Sequence, residues 1–80
     1  MISSPQIRAA LALLGWSRVE FQEATEVPYK TIQKAAEGSG PPRSHASTVV
    51  KIQSALEEAG IEFLDATEDH GAGVRFKEPG

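Results

Sequence analysis

The amino-acid sequence has no cysteine among its 80 residues, so neither a disulfide framework nor a thiolate zinc site can form. It also has no apolar run that approaches the ~18 residues of a membrane-spanning helix. Residues 1–14 carry a single arginine, so we expect no signal peptide and a cytoplasmic protein without a membrane partner. A chain this short buries only about 60% of its unfolded surface, which predicts one small domain that gains from oligomerisation.

Groups that could catalyse a reaction or hold a metal ion are also scarce. His45 and His70 are far apart without a nearby cysteine, so we expect no metal site. The polar stretch 65–70 could hold a divalent cation loosely, but a solvated loop is the simpler interpretation. No nucleophile is accompanied by a base, and the acidic residues fall at an expected helix end and in a loop rather than in a pocket. We therefore predict no enzyme, no cofactor and no small-molecule ligand.

Basic charge is low overall, and its distribution is more informative than its total. The net charge is −3, which is unusual for a protein that binds nucleic acid. Residues 28–51 nevertheless carry four basic side chains and one acidic side chain, a net charge of +3. Residues 52–80 carry two basic and seven acidic side chains, a net charge of −5. This polarity would orient the central segment toward a phosphate backbone.

Most of the sequence has the apolar spacing of short amphipathic helices. The Ser3–Pro5 stretch is typical of a helix start, and the residues that follow predict a helix that ends at Gly15. Trp16 is expected in the core at the next junction. A last helix, after the glycine- and proline-rich loop 38–42, would be capped by Ser44 or Ser47 and stopped by Gly60. The buried stripes of these two helices are expected to be Ile7, Ala10, Leu11 and Leu14, and Val49, Ile52, Leu56 and Ala59.

Between them, residues 17–38 predict two short helices joined by a tight turn. Ser17 and Glu20 have the spacing of a capping box, and Gly38 would end the second helix, 28–37, in a left-handed conformation. Its exposed face would be polar and cationic, with no acid before Glu37. This is the arrangement of a helix-turn-helix motif that binds DNA in the major groove. The buried residues expected in the motif are Phe21, Ala24, Val27, Ile32 and Ala35.

The C-terminal part changes from a helical to an alternating pattern. Segments 61–64 and 74–77 predict a β-hairpin with Glu62 opposite Arg75 or Lys77. An isolated hairpin is marginal in water. Residues 61–80, the hairpin and the tail, should therefore pack on the helices of residues 1–60 as part of the same domain. We expect its apolar face to make the protein a homodimer; the alternative is a monomer whose hairpin covers the core. The apolar face would hold Ile61, Phe63, Val74 and Phe76, of which Phe63, Val74 and Phe76 are the predicted dimer interface.

Several stretches, in this order, resemble the small bacterial regulators of the lambda-repressor-like (XRE) helix-turn-helix family. The resemblance covers nearly the whole chain, and is closest to a short subgroup with "LLGWSQ" before the motif and "ALEAAGVEFI…GVRL" at the end. It implies a mainly α fold of four to five helices with a C-terminal β-hairpin, major-groove DNA binding, and dimers on palindromic sites. The stretches are Leu13-Leu14-Gly15-Trp16-Ser17, Val27, Thr31-Ile32, Gly38, Leu56 to Phe63, and Gly73-Val74-Arg75.

The chain departs from that family at four positions of the motif. Arg18 stands where the family usually has glutamine, and it can still contact a phosphate. Gln22 replaces a small residue, and Pro28 replaces a capping serine. Glu26 replaces a glycine that takes positive φ, at a cost of about 1 kcal/mol.

The predicted function is a sequence-specific DNA-binding transcriptional regulator, a repressor, with double-stranded DNA as partner. The alternative is a protein-interaction or antitoxin-like module on the same fold with weakened or lost DNA binding, which the net acidity, Gln22 and Glu26 favour. Each contact residue could also be an ordinary solvated side chain. Base contacts are predicted for Tyr29, Lys30, Gln33 and Lys34, because glutamine pairs with adenine and lysine with guanine. Phosphate contacts are predicted for Arg18, Thr31, Arg43, Ser44 and Ser47.

Overall fold

The computed structural model describes residues 2–79, which form four helices followed by a two-stranded antiparallel sheet. The prediction of a small, mainly α domain with a C-terminal β-hairpin is confirmed, although the second strand starts one residue earlier than predicted. The longest of the described helices has 13 residues, and none has the length and hydropathy that crossing a bilayer requires. The helices are α1 Ser4–Leu14, α2 Arg18–Thr25, α3 Tyr29–Ala36 and α4 Ala46–Glu58, and the strands are β1 Ile61–Leu64 and β2 Gly73–Phe76.

Helix α1 starts at Ser4 and ends at Leu14, with the predicted stop residue Gly15 as its C-cap. Its N-terminus is a capping box that the sequence analysis missed. The Ser3 hydroxyl accepts from the Gln6 N–H at 3.3 Å, and the Gln6 side chain accepts from the Ser3 N–H at 2.8 Å. Gly15 takes φ +71°, which lets its N–H bond back to the Ala12 carbonyl and stops the helix.

One apolar core joins the four helices to the first strand, and it contains almost every residue that the periodicity predicted. There are two exceptions: Ala59, the C-cap of α4, is only half-buried outside the core, and Ala24 is exposed. Thr25 is buried in its place, only 2% exposed, because it lies four residues after Phe21 and therefore on the same side of α2. Leu14, Trp16, Phe63 and Val74 pack partly buried against the core. The fully assembled core is Ile2, Ile7, Ala10, Leu11, Phe21, Val27, Ile32, Ala35, Ala36, Val49, Ile52, Leu56 and Ile61.

The hairpin packs with β2 against α1 and β1 against α4. Ile61 lies opposite Phe76, and Phe63 opposite Val74, so these four side chains share the face predicted for them. The pairing also places Glu62 opposite Arg75, one of the two partners predicted for it. A hydrogen bond from the Arg75 guanidinium at 3.0 Å lowers the pKa of the exposed Glu62 carboxyl.

Candidate nucleic-acid interface

The start of α2 has the predicted capping box. The Ser17 hydroxyl accepts from the Glu20 N–H at 3.1 Å, and the Glu20 carboxylate accepts from the Ser17 N–H at 3.0 Å. Arg18, predicted to contact a phosphate, is the first helical residue and is half-buried. It lines neither of the two grooves that contain the other four predicted phosphate contacts.

The turn between α2 and α3 depends on two polar residues. Glu26 takes φ +58°, the left-handed conformation predicted for this position, and its N–H donates to the Gln22 carbonyl at 2.8 Å. The buried Thr25 hydroxyl donates to the Phe21 carbonyl at 3.0 Å and accepts from the Val27 N–H at 3.3 Å. These bonds hold the angle at which the chain enters α3.

Helix α3 has one buried side and one exposed side. Ile32, Ala35 and Ala36 are fully buried, which fixes the rotation of the helix on the core. The opposite side holds Tyr29 with Gln33, and Lys30 with Lys34, each pair at i, i+4 spacing. Tyr29, the largest of these side chains that is partly apolar, is 41% exposed. All four residues predicted to contact bases therefore lie together on one exposed surface, which we call the α3 face: Tyr29, Lys30, Gln33 and Lys34.

A groove of about 470 Å³ separates α3 from the start of α4, and no carboxylate lines it. Three of the predicted phosphate contacts, Thr31, Arg43 and Ser44, meet Lys34 of the α3 face there. The Ser44 hydroxyl oxygen is buried without a hydrogen-bond partner among residues 2–79. We call this surface the basic groove; its lining residues are Thr31, Lys34, Arg43, Ser44, His45 and Thr48.

The prediction that Ser44 or Ser47 caps α4 is wrong. The N-cap is His45, with an extended backbone and no side-chain hydrogen bond. Ser44 precedes the cap and Ser47 lies inside the first turn, so neither hydroxyl stands at the position that caps a helix. The first N–H groups of α4 are thus left without a side-chain cap at the positive end of the helix dipole, beside the basic groove.

Ser47 lines a second, more mixed groove of about 390 Å³, which also contains Thr31 and Lys51. Glu26 contributes a carboxylate to this groove and to a neighbouring one that is bordered by Glu23. The surface at the start of α3 is therefore less cationic than the surface at its end. His45 and Lys51 were not among the predicted contacts; their positions at the N-cap and in the second turn of α4 could have indicated them.

The predicted dimer residues are only partly available at the surface. Phe63 and Val74 pack against the core and are half-buried, whereas Phe76 is 46% exposed at the end of β2. The hairpin can therefore offer Phe76 and the margins of the other two side chains to a partner.

Among residues 2–79, no group of three or more acidic or histidine side chains is arranged to hold a metal ion. No protein-family model, curated protein or solved structure matches the chain. The candidate interface consists of the α3 face, the basic groove and Arg18.

Proposed function

We propose that this chain is a sequence-specific DNA-binding regulator of transcription, a repressor, which inserts α3 into the major groove. The observation that carries the proposal is the α3 face, a carboxylate-free polar and cationic surface directly opposite a fully buried one. The major groove admits an α-helix, and its base edges offer partners for glutamine and lysine. Because Ile32 and Ala35 are fully buried, the rotation of α3 is fixed, and the α3 face would meet the base edges in one defined orientation.

The basic groove supports the proposal, because a DNA backbone beside an inserted helix needs cations at about that position. Lys34 belongs to both surfaces, and Arg43 extends the positive charge toward α4. The uncapped N–H groups of α4 would add donors for a phosphate oxygen. We further propose that the four helices form a lambda-repressor-like domain that acts in the bacterial cytoplasm, where the chromosome lies.

The proposed regulator is a homodimer that pairs through the hairpin. A two-stranded sheet has unpaired edges, and Phe76 leaves nearly half of its surface in water. A two-fold dimer would set two copies of α3 about 34 Å apart, one turn of DNA, on a palindromic site.

Fluorescence anisotropy with labelled duplexes tests the proposal. One duplex is enriched from a random pool by the wild-type protein, and the other is a scrambled version of it. We expect tighter binding to the enriched duplex and a steep loss of affinity with salt. A triple variant, Lys30→Ala with Gln33→Ala and Lys34→Ala, should lose the preference for the enriched duplex and show a shallower dependence of affinity on salt.

The matched control for that variant is Arg75→Gln combined with Lys77→Gln. It also removes two positive charges, but from β2 and the residue that follows it. It should bind nearly as the wild type does. Absence of binding to any duplex at low salt, or a triple variant that binds like the control, would contradict the proposal.

A protein-interaction or antitoxin-like module is the second candidate, and the acidic border of α3 favours it. Glu23 and Glu26 lie together beside Pro28, where DNA would approach the start of α3. If the wild-type protein enriches no sequence, this candidate becomes the better proposal.

A further inference from the structure

The C-terminal end of α3 is held by side chains from α1 rather than by its own cap. Its C-cap residue, Glu37, is extended, and the positive-φ Gly38 comes one residue later. The last carbonyls of a helix need donors from elsewhere. Ser4 supplies one, because its buried hydroxyl donates to the Ala35 carbonyl at 2.7 Å.

Arg8 supplies the others through a single nitrogen. Its Nη1 donates to the Ala36 carbonyl at 2.8 Å and to the Gly38 carbonyl at 2.6 Å. The guanidinium thus joins the last residue of α3 to the first part of the loop that leads to Arg43. Its positive charge also lies at the negative end of the α3 dipole.

These contacts matter because α3 has little to hold it in place by itself. It has eight residues, fewer than an isolated helix needs to be stable in water, and no side-chain cap at Pro28. Lys34 occupies its last turn and belongs to both the α3 face and the basic groove. A shift of this end would therefore move a predicted base contact and one wall of the basic groove together.

We propose that Arg8 is a positioning residue for DNA recognition, an inference that rests on the proposed function. It contacts no nucleic acid. It fixes the end of α3 relative to the loop that carries Arg43, so that Lys34 and Arg43 keep the spacing that a bound duplex requires.

Three variants test this role: Arg8→Ala, Arg8→Lys and Lys77→Ala. Arg8→Ala should lower affinity for the enriched duplex about tenfold, the loss expected for charged hydrogen bonds, and affect the scrambled duplex little. The slope of log affinity against log salt should not change, because no phosphate contact is lost. Arg8→Lys should restore affinity, because one ammonium nitrogen can replace the one nitrogen that makes both bonds.

Lys77→Ala is a closely matched control. The Lys77 ammonium donates to the Glu57 carbonyl at 2.7 Å, so it is also a cation that bonds the end of a helix, but that helix is α4. Its removal deletes the same charge and the same kind of contact away from α3. We expect affinity for the enriched duplex to stay at the wild-type value.

Amide hydrogen exchange supplies a readout that does not need DNA. Arg8→Ala should speed exchange in α3 and residues 37–40, whereas Lys77→Ala should speed it only near the end of α4. Circular dichroism checks that each variant is folded. If Arg8→Ala is not folded, Arg8→Gln takes its place in every measurement.

The outcomes separate this inference from the function on which it rests. Wild-type affinity in Arg8→Ala overturns the positioning role and leaves the proposed function intact. A salt slope reduced by about one overturns it too, because Arg8 would then be a phosphate contact. If the wild-type protein binds no duplex, the proposed function fails, and the positioning role in DNA recognition fails with it. Hydrogen exchange then still shows whether Arg8 holds α3.

Discussion

Replacing Glu26 with glycine should stabilise the domain. Glu26 ends α2 at φ +58° and is the single residue other than glycine with positive φ among residues 2–79. An L side chain in that region costs roughly 1–2 kcal/mol. Glycine removes this cost but loses about 0.4–1 kcal/mol more backbone entropy on folding, and the midpoints of the two ranges leave a net gain of roughly 0.8 kcal/mol. For a domain of this size, the gain raises Tm by about 2–8 °C.

The same substitution should tighten DNA binding slightly, because it removes a carboxylate beside the start of α3. A unit charge about 8 Å from a phosphate contributes about 0.5 kcal/mol in water, or roughly a factor of two in affinity before salt screening. Glu26→Gln separates the two effects. It removes the charge and keeps the strained backbone, so it should match Glu26→Gly in DNA affinity but not in Tm.

Thermal unfolding followed by circular dichroism, together with anisotropy on the enriched duplex, measures both quantities for the three proteins. A Glu26→Gly protein with a Tm at or below that of the wild type would refute the strain calculation. Equal increases in Tm for both variants would show that the carboxylate, not the backbone, is the destabilising element.

Four further predictions follow from the same structure. Gln33→Ala should cost roughly 1–3 kcal/mol on the enriched duplex and relax discrimination at one base pair; anisotropy with single-base variants checks this, and uniform losses would contradict it. Arg18→Ala should weaken binding to enriched and scrambled duplexes equally and reduce the salt slope by about one, whereas a loss on the enriched duplex alone would indicate base contact. Light scattering across a concentration range should find a dimer for the wild type and a folded monomer for Phe76→Lys; a wild-type protein that stays monomeric at high micromolar concentration would end the dimer hypothesis. Because hydrogen bonding to Arg75 lowers the pKa of Glu62 below its ordinary 4.5, the ion pair stabilises fully above that ordinary value and is lost as pH falls through the lowered pKa. Urea unfolding should show a smaller acid-induced loss of stability in Glu62→Gln, and an unchanged pH profile would mean that the exposed pair contributes nothing.

The elements that could be predicted from the sequence are those that depend on neighbours in the chain. The stripe of α1, the capping box at Ser17 and the alternation of the hairpin are local patterns, and the structure has each of them. The left-handed Glu26 could be predicted because the resemblance pointed to a position that normally needs glycine.

What could not be predicted depends on the tertiary environment. Ala24 was predicted in the core, yet Thr25 is the residue on the buried side of α2, and its hydroxyl can be buried because it donates to carbonyls of the same helix, which a count of apolar residues ignores. Ser44 and Ser47 both precede an apolar stripe, and only the path of the loop decides that His45 is the cap. The bonds from Arg8 and Ser4 join residues about thirty positions apart, a distance at which periodicity carries no information. Lys34 and Arg43 also come together in the basic groove through the tertiary fold, which periodicity does not predict.

The Gln6 amide joins the two ends of the domain, because its Nε2 donates to the carbonyls of Leu64 at 3.2 Å and Gly73 at 2.9 Å. Contacts between such distant positions can form only after a long loop has closed. Residues 35–38 are synthesised before residues 61–76, so α1 can bond the end of α3 through Ser4 and Arg8 before the hairpin exists. The bonds from Gln6 can form only once both strands have been made. The side of α1 that carries Gln6 is therefore the later of the two to reach its native contacts.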